Sequence, residues 1–296
     1  MPVQSSPTAQ RRQLGFELRQ LREAARLKSE RAAEALECSP SKVSRIETGH
    51  VAVSLRDVRD LLDLYNANDQ QRLAIIELAK EARQKSWLHA YSDVHPSAYL
   101  GFETGARSIC VYEPMLVPGL LQTTEYARSL IHEIQPNLGP EEVNRWISLR
   151  SERQKLLRRR GSPAFSAILD EAVLRRSIGG REILRAQLGH LVEAAEWPSV
   201  TLQVMPFDLG EHGCLHGGFT ILNFPDAAQP GLVFVEELTK ELYLEGAEEL
   251  RRYELAFERL SGAALKPDDS VNFIETVARE LQKGLSKHLS RHRARA

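Results

Sequence analysis

The run Ser39-Pro40-Ser41-Lys42-Val43-Ser44-Arg45-Ile46-Glu47-Thr48-Gly49 sets hydroxyls and cations on one side of a short helix and Val43 and Ile46 on the other. At about 3.6 residues per turn, Ser41, Lys42, Ser44 and Arg45 share the outward side. A forked guanidinium, an ammonium and hydroxyls are groups that bond base edges in the major groove or hold phosphate oxygens. Elsewhere, His212, Cys214 and His216 alternate, so an extended backbone would point all three the same way, and imidazole with thiolate suits zinc. A fourth ligand is missing nearby, so no metal is expected. Gly210, Gly213, Gly217 and Gly218 make the segment read as a loop, either plain or a lid over a pocket.

Two further constellations have ordinary explanations. Asp170 and Glu171 could form a general acid–base pair, yet adjacent strand residues point apart, and a helix N-terminus favours acids equally well. Gly179-Gly180 has no phosphate-binding loop around it and reads as a helix break, while Arg158-Arg159-Arg160 reads as a solvated helix end. An enzyme should show a converging nucleophile, base and stabiliser, or a complete metal set. Only fragments are present, so no catalytic residue, no cofactor and no enzymatic activity are expected.

The elements that must position Ser41 to Arg45 are legible. Leu14, Leu18, Leu21 and Ala25 give an amphipathic helix over Gln10 to Arg26. Ser29 is the expected cap of a second helix through Ala32, Ala33 and Leu36. Ser39-Pro40 supplies a cap and a first-turn proline for the third, Pro40 to Thr48, which Gly49 ends. Ser54 caps a fourth helix with Val58, Leu61, Leu62 and Tyr65 on one face, and Asp69 opens a fifth through Leu73, Ile76 and Leu78. Ala33, small enough for a close helix crossing, and Leu36, Val43 and Ile46 should form the shared core.

After Lys85 come Trp87, Tyr91, Tyr99 and Phe102, read as a linker packed onto a second domain. Helical patterns follow at Thr123 to Glu133, Pro140 to Arg160, Gly180 to Glu196, Ala247 to Ala264 and Asp268 to Lys283. They alternate with strand-like runs at Phe165 to Leu169, Val200 to Pro206, Gly218 to Phe224 and Leu232 to Leu244. The expected fold is therefore multi-domain: a flexible arm (1–10), an all-α five-helix domain (11–85), an α+β domain (86–283) and a basic tail (284–296). In the helix from Pro140, Val143, Trp146, Ile147, Leu156 and Leu157 exceed what a solvated helix needs and suggest a dimer contact.

Composition sets outer limits. The 296 residues, 42% hydrophobic and 27% charged, suit two globular domains. No run approaches the roughly 20 apolar residues that span a bilayer, and residues 1–12 lack the apolar core of a signal peptide, so no membrane role and a cytoplasmic location are expected. Three scattered cysteines, Cys38, Cys110 and Cys214, argue against a disulfide framework. The net charge of −1 hides an uneven distribution: +3 over residues 1–85, −9 over 86–278 and +5 from Arg279 onward. Phosphate contacts should come from the ends, because the middle repels a polyanion.

Leu27 to Gly49 resembles the Cro/repressor-type helix-turn-helix, also called the xenobiotic-response-element type. That resemblance implies that Pro40, Ser41 and Arg45 read bases in double-stranded DNA, while Ser29, Lys42 and Thr48 touch phosphates. Glu37 stands where the family's turn commonly has glycine, at a cost of roughly 1 kcal/mol if the left-handed conformation is kept. Ala32 replaces a larger apolar residue. The segments Tyr112 to Thr123, Leu169 to Arg176, Val200 to Phe207 and Phe234 to Leu238 resemble the C-terminal domain, of unknown function, of a family of actinobacterial helix-turn-helix regulators described in part as antitoxin-like. The resemblance implies a homodimer and a small partner protein or small-molecule effector. A pocket walled by Tyr112, Pro114, Gly210, His212 and His216 is the expected receiver. The alternative is an enzyme in the second domain with an autoregulatory DNA-binding domain.

Overall fold

The computed structural model describes residues 7–83, 91, 98–225 and 231–293, and the side chains of all of these except 7–9 and 283–293. Residues 1–6 of the expected arm (1–10), Trp87 and the last three residues of the expected tail (284–296) lie outside them; residues 7–10 of the arm instead begin a helix, Pro7–Ala24, and residues 284–293 of the tail continue another, Pro267–Arg293. The chain forms two compact units, one from Met1–Ala106 with Phe224–Gln229 and one from Arg107–Asn223 with Pro230–Ala296.

In the helical unit, α1 (Pro7–Ala24) buries Leu14 and Leu18. The chain reverses at Arg26 (φ 57°) into α2 (Ser29–Ala35). Ser29 does not cap this helix. Lys28 takes the extended cap geometry, so Ser29 sits one residue inside, and its hydroxyl reaches only Glu30 Oε2 at 3.4 Å. Helix α3 (Pro40–Glu47) begins as its sequence dictates: Ser39 Oγ accepts from Lys42 N at 3.2 Å, with Pro40 in the first turn. Thr48 closes the helix as its C-cap rather than lying within it, and Gly49 follows with φ 75°.

Ser54 caps α4 (Leu55–Leu64), which buries Val58, Leu61 and Leu62, and Asn68 with Gln71 forms a capping box for α5 (Asp69–Glu81). The buried face of α5 is Ile75 and Ala79, not Leu73, which is 70% exposed. The residues at spacing four face the core, and Leu73 falls outside that stripe. Tyr99 and Phe102, read from the sequence as part of a linker, form α6 (Tyr99–Gly105), packed on α1. Phe102 is fully buried there. The Arg12 guanidinium lies over Phe102 and Phe224, at 5.6 and 4.8 Å from the ring centres.

The second unit is α+β, so the two-domain fold, all-α and then α+β, is as expected. Its elements are β1 (Ser108–Glu113), α7 (Thr124–Ile134), α8 (Pro140–Gln154), β2 (Ala164–Asp170), α9 (Glu171–Arg175), α10 (Arg181–Ala195), β3 (Val200–Met205), β4 (Phe219–Asn223), β5 (Leu232–Glu236), β6 (Glu241–Leu244), α11 (Ala247–Ala263) and α12 (Pro267–Arg293). The sheet order is β3-β2-β1-β4-β5-β6. The first three strands are parallel, and β4, β5 and β6 each run antiparallel to their neighbour. Two expectations change. The run Leu232 to Leu244 is a hairpin, closed by Glu237 N donating to Lys240 O, rather than one strand. The central strand β1 was not anticipated.

The apolar residues of α8 are also reassigned. Val143 and Ile147 pack with Ala127 and Ile131 of α7, and Leu156 and Leu157 are buried in the short turn that follows α8. They complete their own unit's core, so they offer no face to a second copy. Among the described residues, no helix is long and apolar enough to cross a membrane.

Candidate nucleic-acid interface

Helix α3 is held from beneath and presented from above. Val43 and Ile46 are buried with Ala32, Ala33, Leu14 and Leu18, whereas Pro40, Ser41, Lys42, Ser44 and Arg45 are all exposed. The α2–α3 turn makes this possible. Glu37 adopts φ 50°, as the missing glycine requires, and Cys38 N donates back to Ala33 O at 2.9 Å. Ala32 is fully buried, so the small residue lets the helices approach closely instead of leaving a gap. A Cβ on Gly15 of α1 would stand 2.3 Å from Ile46 O, which shows how near α1 runs to the presented helix.

Ser29 and Thr48 are half-buried. Thr48 Oγ1 donates to Ser44 O at 2.9 Å and contacts His50 Nδ1 at 2.9 Å. The outward groups Ser41, Lys42, Ser44 and Arg45 thus come together on one helix, with Thr48 at its end and Ser29 on the preceding helix. Sequence reasoning missed the ion pair beneath them: Arg22 of α1 grips Glu47 and also donates to Leu27 O at 2.8 Å. The signal was an Arg on the inner side of α1, which reads as a wet-face residue when its partner is 25 positions away.

In the second unit, Tyr112 and His212 meet, with the phenol oxygen 3.2 Å from Nε2 and the rings edge-on at 5.6 Å. His212 Nδ1 accepts from Cys214 N at 3.3 Å. Pro114 packs near Gly218, while Gly210 (φ 75°) and His216 lie exposed on the loop. Burial pushes the Cys214 thiol up, away from reactive thiolate. Among the described residues, no group of three or more His, Cys, Asp or Glu is placed to hold a metal. Asp170 caps α9 by accepting from Ala172 N at 2.8 Å. The buried Glu171 accepts from Phe207 N at 2.9 Å and pairs with Arg175. Both carboxylates hold chain segments in place.

The carboxyl ends of β1, β2 and β3 and the following loops gather Glu113, Asp170 and Glu171, which is where open parallel sheets receive ligands. The Glu113 carboxyl is pushed up to about 8 by burial and then by repulsion from Glu236. Burial also raises the Tyr112 phenol, with Asp170 adding to the effect.

A presented helix on a buried partner, followed by a mixed-sheet unit, defines the helix-turn-helix class with an appended domain. Residues 13–75 match the family described as helix-turn-helix domain, which supports DNA binding and transcription regulation. Residues 96–276, more than half of the chain, match the domain of unknown function DUF5753, and the chain belongs to that family. No curated protein and no solved structure matches it.

Proposed function

We propose that this protein is a sequence-specific transcription regulator of the Cro/repressor type, in the actinobacterial family that Tyr112 to Thr123 and its companion segments resemble, working in the cytoplasm as a homodimer on paired half-sites. The observation that carries the reading is the split of α3 into buried Val43 and Ile46 and exposed Ser41, Lys42, Ser44 and Arg45. Pro40, Ser41 and Arg45 read bases; Ser29, Lys42 and Thr48 meet phosphates. The second unit receives a small molecule or a small partner protein between Tyr112 to Leu121 and the loop Gly210 to Gly218. Binding there shifts DNA affinity only by as much as it favours one conformation, commonly about 1 to 3 kcal/mol. We read this unit as a binding module rather than an enzyme, a reading supported by the structural engagement of Asp170 and Glu171.

Sequencing the genomic DNA retained by the purified chain tests the proposal. A recurrent, two-fold related motif is the expected result, and sequence-independent retention would overturn it. Deleting Glu211 to Leu215 should leave DNA binding intact and abolish the regulatory response. An unchanged response would reduce the loop to a connector.

A further inference from the structure

Arg12 of α1 is only 3% exposed. A guanidinium keeps its charge at any working pH, so burying it is costly unless the surroundings compensate. Two aromatic faces supply part of that compensation. The Arg12 guanidinium lies 4.8 Å from the ring centre of Phe224 and 5.6 Å from that of Phe102, and the two rings meet edge-on at 6.3 Å. Phe102 belongs to α6, whereas Phe224, the nearer ring, follows directly on Asn223, the last residue of β4. It is nonetheless part of the helical unit and is buried there. The core of that unit therefore takes a residue from beyond β4.

The cluster reaches the end of α3 by two routes. The backbone of Arg12 runs against Gly49, where a Cβ would stand 2.5 Å from Arg12 Cα and 2.8 Å from its nitrogen. Phe102 packs edge-on to His50 at 6.3 Å, and His50 Nδ1 lies 2.9 Å from Oγ1 of Thr48, the C-cap of α3. Val51 N then donates to Arg45 O at 3.1 Å, which ties the segment after the helix to its last turn. We infer that Phe224 is a positioning residue for DNA reading: its face on Arg12 fixes α1 against Gly49, and thereby the end of α3 that carries Arg45. The inference rests on reading α3 as the DNA-binding helix. Phe224 is buried and meets no nucleic acid itself, so its loss removes no cation from the DNA interface. What changes is the direction in which Arg45 departs, and a two-pronged bond to a base edge depends on that direction.

The test uses the full chain carrying Phe224→Leu, which keeps apolar bulk so that the unit still folds but removes the aromatic face. Amide hydrogen exchange across residues 44–51 reads the end of α3 without any DNA. Titrations against matched and mismatched forms of the operator recovered by genomic sequencing read the function. Phe224→Leu should speed that exchange and weaken binding to the matched operator, each by roughly tenfold. It should also narrow the gap to the mismatched operator and leave the salt slope unchanged, because no phosphate contact is lost. Arg12→Met removes the charge that the ring holds, so adding Phe224→Leu to Arg12→Met should change exchange and affinity no further. Additive losses in the double variant would mean that Phe224 only fills space, and they overturn the proposal. So does wild-type exchange in Phe224→Leu, faster exchange with unaltered operator discrimination, or a shallower salt slope. If the wild-type chain retains no recurrent DNA motif, the DNA reading itself fails, while the exchange cycle still decides whether Phe224 holds the end of α3 through Arg12.

Discussion

Arg22 and Glu47 form a two-pronged ion pair, Nε to Oε1 at 2.7 Å and Nη2 to Oε2 at 2.9 Å, that ties the last turn of α1 to the last turn of the presented helix. Their side chains are only 12% and 8% exposed, so water screens the pair little. The hydrogen bond to Glu47 holds the Arg22 guanidinium above its usual value. Removing one partner strands the other charge in the interior, a loss of about 3 to 5 kcal/mol. Arg22→Met should therefore lower the denaturant midpoint of the helical unit and, by loosening α3, weaken DNA binding. A stability loss below about 1 kcal/mol would show that the pair is solvated and dispensable.

Beside this pair, the Tyr65 hydroxyl is buried with no hydrogen-bond partner among the described residues, and burial, with Glu47 adding, pushes its ionisation up. Tyr65→Phe removes an unsatisfied polar atom and keeps the ring. It should be neutral or stabilising by about 1 kcal/mol in chemical denaturation. A clear destabilisation would reveal a bond that the hydroxyl makes in solution.

Gly49 shows why the end of α3 was legible and the support beneath it was not. Its position after Thr48 announces a helix stop from sequence alone, and its φ of 75° follows. That a Cβ there would stand 2.5 Å from Arg12 Cα is a tertiary fact no spacing reveals. The same division runs through the molecule. Caps at Ser39 and Ser54 and the periodic helices are local, and they read correctly. Ser29 was misassigned because Lys28, a poor capping side chain, takes the cap geometry. Strand β1 escaped because Ser108 to Glu113 is short and pairs only with segments more than 50 residues away. The Tyr112–His212 contact joins residues 100 positions apart; the loop glycines hinted at it without specifying it.

Gly49→Ala combines a positive φ with a backbone clash, and should cost more than about 2 kcal/mol. Gly189 lies inside α10 with open space at its Cβ position, so Gly189→Ala should stabilise by about 0.5 to 1 kcal/mol. Thermal unfolding of both variants checks the contrast. Similar behaviour of the two would mean that the close approach of Arg12 relaxes at no cost.

Glu113 makes the second unit sensitive to pH. Folding raises its pKa from 4.5 to about 8, by burial first and by Glu236 second. Between those values the folded state holds a proton that the unfolded chain releases, so stability falls as pH rises through that window and is level above it. Glu113→Gln removes the penalty. The variant should exceed the wild type by about 1 to 3 kcal/mol near pH 8.5, with the gap closing toward pH 4. A gap independent of pH would mean that Glu113 is ionised in the folded state throughout.

Within the presented helix, base reading and backbone holding should separate by residue. Arg45 lies one turn beyond Ser41 on the exposed face, so its guanidinium projects where Ser41 points and can bond two acceptors of guanine at once. Lys42 is turned by about 100° from Ser41 and offers a single point charge, which under the proposed function meets a flanking phosphate. Its backbone N–H already bonds Ser39 Oγ, which fixes the first turn and so the direction of departure. Arg45→Ala should cost about 1 to 3 kcal/mol per half-site and relax preference at one base pair. Lys42→Ala should weaken matched and mismatched operators alike and flatten the salt dependence by about one phosphate contact. Neither residue contributes to the core, so both variants should keep the wild-type melting temperature. Titrations against paired operators at several salt concentrations decide the matter. If Arg45→Ala lowers only the salt slope and leaves discrimination intact, specificity lies in Ser41, Ser44 or the shape of the DNA.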